Sequence, residues 1–573
     1  MKKTRLNYLS LLLIVLVLAS CGGLKKMKKL AGEVQYTVTP SPLEMHADSV
    51  SVSISGKYPA KYFNKKATLE ITPVIKYATG EKAFPDVKIV QGEKVKDNNS
   101  IVNFAGGSFS YTSKVPYNEG MRISDLEIRI VGKMKKKEVP FDPMPIAKGV
   151  IATPGLVQIN PKSIIGKDNF QRITKEVVSA ELMYALQQSS VSGTNANKAD
   201  VKRLKELVAE VQKNERLELT GVSINGGASW DGNKEEINAP LADKRAKSAS
   251  DYINNFLKKL EKAKESGFVT SNSVAEDWAG FERDLKNSDI QDKEIILGVL
   301  NMHADLEVRE AELKKLASVY DELRKKILPK QRRSVVNYNL DHIGYSDEEI
   351  SAIFDLRPDS LKVEELLYAA TLTKDNDRKL KIYKSFTDIY PTDWRGPNNV
   401  GAVYVDMNKV SDAKAAFEDA RKIDDNNKIV INNLGVVALL EGDVKTAEEL
   451  FTSASGAGDQ VNYNMGIVYI KKADYEAAVG SFGSNCSFNS ALAVLLNGDA
   501  DGAVKKVDCA DNKEDAAMYY LKAVAGARKA DSDLMFNSLR AAIGKDATWN
   551  GKAKTDMEFF KFFGDDTFKS IVK

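Results

Sequence analysis

The sequence predicts a multidomain chain in three styles: an all-β sandwich first, a mixed α/β domain in the middle, and an all-α solenoid last. Three observations carry that reading. Segments between Glu33 and Thr153, such as SVSVSISGKY and DLEIRIVGKM, alternate with a period of two and are rich in β-branched and aromatic residues. From about Gln158, strand-like and helix-like patterns take turns. Beyond Leu340 the chain is helical and repeats itself, with Gly401, Gly435 and Gly466 recurring in step with Phe417, Phe451 and Phe482. The length of 573 residues suits several domains, and 43% apolar with 28% charged residues is ordinary for globular protein.

The opening residues MKKTRLNYLSLLLIVLVLASCGG put Lys2, Lys3 and Arg5 ahead of an apolar run, Leu11 to Leu18, that ends in small residues. The run is shorter than the roughly 20 residues a membrane-crossing helix needs, so it reads as an export leader. Leu18-Ala19-Ser20-Cys21 resembles a lipobox. The resemblance implies a signal peptide over residues 1–20, lipidation of Cys21, and a lipid anchor and tether over 21–32. Gly22 in place of the aspartate that retains lipoproteins, and the basic GGLKKMKKL that follows, imply the outer membrane with the protein facing the periplasm. Lys25, Lys26, Lys28 and Lys29 suit either contact with anionic lipid or a solvated tether.

Net charge is +4 and falls to +1 once the leader's Lys2, Lys3 and Arg5 are removed, so nothing calls for nucleic acid. His46, His303 and His342 stand in unrelated segments, which argues against a zinc site or a histidine triad. No metal, cofactor or catalytic residue is expected. The all-β part, 33–155, reads as an immunoglobulin-like sandwich serving as spacer or contact surface.

In the α/β part, 156–345, SAELMYALQQSSV reads as a strand and its exit, NKADVKRLKELVAEVQKN as an amphipathic helix, and LELTGVSI as a strand entering the loop GGASWDGNKEEIN. A helix from Leu241 to Leu260 and a strand from Val335 to Leu340 complete it, with an insertion at 261–329 read as helical. Gly226, Gly232, Asn238, Leu241, Arg245, Ala246 and the pair Arg332-Arg333 occur in the order of the OmpA-like peptidoglycan-binding family, which this segment resembles. The loop Ala228-Ser229-Trp230-Asp231-Gly232 is nearer a divergent branch of that family. The resemblance implies that the site binds the diaminopimelate of the peptidoglycan stem peptide: a loop aspartate takes its ammonium, and the helix arginine its carboxylate. Arg245 keeps the second half of that grip; the aspartate's place falls on Ser229, and Asp231 stands two residues on as the replacement. The same Arg245 suits a purely structural tie between helix and loop. Trp278 and Phe281 in the insertion edge that site or pack the helix on the sheet.

The repeat, 346–573, steps by 34 residues from Gly401 to Gly435 and by 31 to Gly466, spacings that resemble tetratricopeptide (TPR) repeats. Asn399, Asn433 and Asn464 each lie two residues before the small glycine. In the family this face lines a concave groove, and an asparagine both donates to and accepts from an extended backbone, so the three form a candidate groove for a protein partner. They suit equally hydrogen bonds to the next repeat, in which case their removal harms the fold. Glu365 takes the equivalent upstream place. Cys486 and Cys509 each precede the next repeat's first helix and form a possible disulfide in an oxidising compartment. The expectation is a lipid-anchored scaffold tethering outer membrane to cell wall and recruiting a protein. Two alternatives stand beside it: an envelope-assembly or secretion component whose OmpA-like domain has lost the wall, and, less favoured, a wall-acting enzyme.

Overall fold

A computed structural model describes residues 23–193 and 198–573. The leader and Cys21 lie outside the described residues. The chain forms two units, one running through Lys167 and resuming at Thr373–Lys573, the other Asp168–Leu372. No helix among the described residues is long and apolar enough to cross a membrane.

The first unit begins with a helix at residues 23–29, expected as part of a loose tether. It is docked instead: Leu24 and Met27 are buried in the core of the β-sandwich, because they are one helical turn apart and share a face. Two sheets share that core. One pairs Gln35–His46 with Ser49–Tyr58, and that strand with Gly107–Pro116; Val150–Ile151 adds to the outer edge in parallel. The other is built on Thr68–Tyr77 paired antiparallel with Ser124–Met134. Ser49–Tyr58 buries every second residue, as its alternating serines foretell. Short strands that the alternation does not announce, Gly80–Ala83, Lys137–Pro140 and Met144–Lys148 among them, widen the second sheet at its margins.

The rest of the unit is helical. A leading helix, Asn376–Ile389, precedes five hairpins among the described residues: Arg395–Asp406 with Val410–Ile423, Lys428–Leu440 with Val444–Ser453, Asp459–Lys471 with Tyr475–Phe482, Phe488–Leu496 with Ala500–Asp508, and Ala516–Lys529 with Ser532–Lys545. Short helices from Thr548 to Ile571 close the array. The periodic glycines are explained by contact: a Cβ on Gly401, Gly435 or Gly466 would lie 2.6–2.7 Å from the ring of Phe417, Phe451 or Phe482. Each hairpin turns through a residue at positive φ, namely Asn408, Gly442, Ala473, Gly498 and Ala530. Asp443, Asp474, Asp499 and Asp531 then cap the second helices with their side chains. A disulfide joins Cys486 to Cys509, with Cα atoms 5.7 Å apart.

The second unit holds a four-stranded sheet, in the order Ile173–Met183, Arg333–Ile343, Leu217–Gly227, Val269–Val274. The first three are antiparallel neighbours, and Val269–Val274 runs parallel to Leu217–Gly227 after the crossover helix Ala239–Leu257. That edge strand corrects the all-helical reading of 261–329. VTSNSV is short, polar and largely exposed, so it carries no apolar alternation. The rest of the insertion is helical, broken at residues 303–305 and again at Leu316, around its own core of Trp230, Trp278, Phe281 and Leu285. Asp347–Leu356 and Val363–Ala369, grouped by sequence with the repeats at 346–573, belong to this unit. Arg172 pairs with Asp347, and Phe170 packs against the tilted ring of Tyr368 with centres 4.4 Å apart.

Candidate functional site

The three predicted groove asparagines do share one surface, and it is already occupied. Residues 158–167, which join the sandwich to the second unit, run extended along the first helices of the hairpins, in the direction opposite to the repeat order. Asn399 accepts from the amide of Gly166 at 2.7 Å and donates to its carbonyl at 2.9 Å. Asn433 makes the same pair with Ile164, both at 2.8 Å, and Asn464 with Lys162 at 2.7 and 3.0 Å. A fourth rung completes the ladder. Asn489 accepts from Gln158 at 2.9 Å and donates to its carbonyl at 2.7 Å.

All four side chains are at most 1% exposed. Buried amides need partners at every position, and these also bond one repeat to the next: Asn433 donates to Asn398 at 2.8 Å and Asn464 to Asn432 at 3.1 Å. Asn398 and Asn432 in turn donate to the side-chain oxygens of Asn399 and Asn433, fixing each amide so that its oxygen meets the N–H and its nitrogen the carbonyl of the strap, residues 158–167. The asparagines thus bond an extended backbone, as the groove reading expects, but that backbone belongs to the chain itself and is not a partner's; the bonds to the neighbouring repeat match the other reading.

The register has a physical reason. Two extended residues advance about 6.6 Å, whereas packed helices sit about 8–10 Å apart. Rungs at Gly166, Ile164 and Lys162 run short of the helix spacing, and the next falls four residues on, at Gln158. Asn160, passed over, uses its side chain: its carbonyl oxygen accepts from Tyr463 at 2.7 Å and from Asn489 at 3.1 Å. Ile164 is buried in the solenoid core, and Lys162 lies over the Tyr463 ring at 5.5 Å. Gly166 is required, since a Cβ there would meet the Arg395 side chain at 2.7 Å. Glu365, the upstream equivalent, has a different task, accepting from the amide of Lys362 at a helix start in the second unit.

The second candidate site lies in the second unit. Arg245 is 0% exposed and spends its guanidinium on backbone carbonyls, Gly227 at 2.8 Å, Gln188 at 3.0 Å and Ala185 at 3.5 Å, beneath the Tyr184 ring. Burial pulls its pKa down to about 10, so it is still protonated at neutral pH. Asp231 pairs with Arg332 at 3.9 Å and acts on Arg245 only through its charge. Asn238 is buried and donates to the carbonyl of Gly232 at 2.8 Å, closing the loop on itself. Ser229 is buried as well. Gly226 lets helix meet strand: a Cβ there would lie 2.5 Å from the amide nitrogen of Ala246. Trp230 stacks on Trp278 at 5.1 Å, with Phe281 against both. Arg333, also buried, is matched by Asp284 at 2.8 Å, Glu181 at 3.2 Å and Asp277 at 3.4 Å.

No protein-family model matches the chain, and no curated protein matches it. Solved structures do. One is Cut9 in the APC/C hetero-tetramer Cut9–Hcn1, 13% identical over 40% of this chain and 46% of that one, TM-score 0.32. Another is a tetratricopeptide repeat protein from Parabacteroides merdae, 10% identical over 39% and 89%, TM-score 0.28. A third is YrrB, described as a TPR protein with an unusual peptide-binding site, 18% identical over 35% and 94%, TM-score 0.20. This chain spans less than half the length of the first.

Proposed function

We propose that this chain is a lipid-anchored, non-enzymatic scaffold on the periplasmic face of the outer membrane, acting by protein–protein contact, with its ladder groove reserved for its own strap. The observation that carries this reading is the filled ladder. Four asparagines spend both halves of their amides on the strap, so a partner peptide would have to replace eight hydrogen bonds held within one chain. Partners then meet the outer surfaces of the array and the second unit.

For the α/β unit, OmpA-like in the order of its signatures, the reading follows the assembly alternative: a docking platform that does not grip diaminopimelate. What supports this is Arg245, enclosed and bonded to carbonyls, with Asp231 turned to Arg332. The wall-tether reading draws on the closeness of Gly226, Gly232, Asn238 and Ala246 at one loop–helix junction. Sedimentation with insoluble peptidoglycan separates the two. The scaffold reading expects the protein in the supernatant; a wild type that pellets with the wall, and an Asp231→Asn variant that does not, would establish the tether.

A further inference from the structure

We propose that one end of the β-sandwich is a lipid-binding surface that rests on anionic headgroups. Its first element is the docked helix at residues 23–29, where Lys25, Lys26 and Lys29 are exposed while Leu24 and Met27 are buried. Two loops flank it. A Cβ on Gly23 would lie 2.4 Å from the Asn64 amide, and the Asn64 backbone amide points at the Met27 sulfur at 3.4 Å, which places Lys65 and Lys66 beside the helix. Leu24 packs against Gly132, and the methyl of Met134 lies 3.8 Å from the same Gly23 Cβ position, so the turn carrying the exposed Lys135, Lys136 and Lys137 adjoins it too. Lys94 joins through the hydrogen bond its backbone N–H donates to the carbonyl of Lys65 at 2.8 Å.

Four segments of the sequence thus gather their lysines at one end. An apolar contact sits among them: Phe104 is 44% exposed beneath the Lys65 ammonium, 5.1 Å from the ring centre, where Lys65 also pairs with Glu93 at 2.9 Å and, among the described residues, leaves the unpaired charge to its neighbours Lys66 and Lys136. Exposed lysine with an exposed aromatic is the pairing that binds a charged interface while burying apolar surface in it. The opposite end of the same strands meets the solenoid, where Asp48 pairs with Lys471 at 2.8 Å and His46 bonds Tyr475 at 2.8 Å. Ser49–Tyr58 joins the two ends, so about 30 Å separates the lysines from the solenoid.

The choice of a lipid surface rests on the lipoprotein reading, which puts an acyl-bearing Cys21 two residues ahead of Gly23. With that helix docked, the anchor has almost no slack, and the lysine end is the part of the protein an anchored chain would press on the bilayer.

The test uses the mature polypeptide carrying Cys21→Ser, hence unacylated, floated with vesicles of phosphatidylcholine alone or with phosphatidylglycerol added. Binding is expected to the anionic vesicles only, weakening as salt is raised. Lys66→Glu, Lys136→Glu and Lys137→Glu together should lower it at least about tenfold. Lys213→Glu, Lys258→Glu and Lys259→Glu, in the other unit, should leave it unchanged. No flotation with anionic vesicles, equal flotation with neutral ones, binding only to a soluble polyanion, or wild-type binding by the first triple variant would overturn the inference. Mass spectrometry of the membrane-extracted wild type tests the anchor separately, since vesicle binding does not need the acyl chain.

Discussion

Asn433 makes four hydrogen bonds in the ladder. It accepts from Ile164 and Asn432 and donates to Ile164 and Asn398, all from a side chain with no exposure. Alanine there strands a buried amide and weakens a buried carbonyl, each costing about 1–3 kcal/mol. Asn433→Ala should lower the chemical-denaturation midpoint clearly, while Asn426→Ala at an exposed turn should not. An unchanged midpoint would mean the strap is dispensable. The asparagines were legible because they keep a fixed offset from the repeat glycine; the occupant was not. QINPKSIIGK has neither a period of two nor of 3.6, since its partners are side chains and not a strand or helix of its own. Asn489 escaped because its repeat is short and its small residue is Ala491 in place of glycine. Arg245 was placed at the right junction, but sequence could not tell a guanidinium facing a ligand from one facing three carbonyls.

At the scale of elements, the hairpin turns offer the sharpest test. Ala473 and Ala530 hold the left-handed conformation that glycine takes in the neighbouring turns. Ala473→Gly should raise stability by up to about 1 kcal/mol, read as a higher melting temperature, because relief of Cβ strain exceeds glycine's extra entropy cost. Breaking the Cys486–Cys509 link, whose loop spans 23 residues, should destabilise the array by about 3 kcal/mol in the chain-entropy model. Reductant should reproduce the loss in the wild type and do nothing to a Cys486→Ser, Cys509→Ser protein. In the second unit, Glu349 closes a capping box: the Ser346 amide and Arg216 hold its carboxyl below the usual carboxylate range. A depressed carboxylate stabilises above its unfolded pKa, about 4.3, and stops doing so as pH falls through the lower folded value. The stability gap between wild type and Glu349→Gln should therefore persist at neutral pH and close in acid. Helices and long strands were readable from periodicity, and the edge strand Val269–Val274 was not, because an exposed strand has no buried face to mark it.

For the molecule as a whole, the order β-sandwich, α/β, helical array was legible, but the units do not follow it. The first unit collects residues that precede and follow the second in sequence, and the strap joins direct contacts such as Asp48–Lys471 in tying its sandwich to its solenoid. The face of the array that carries the four asparagines is filled from within and holds the protein's own architecture together. Hydrogen exchange tests that claim most directly. The amides of Gln158, Lys162, Ile164 and Gly166 all donate to buried asparagine oxygens, so they should exchange as slowly as the hairpin helices, and Asn433→Ala should release Ile164 first. Exchange of these four amides at the rate of an open chain in the wild type would mean that the groove is free, and would contradict the account.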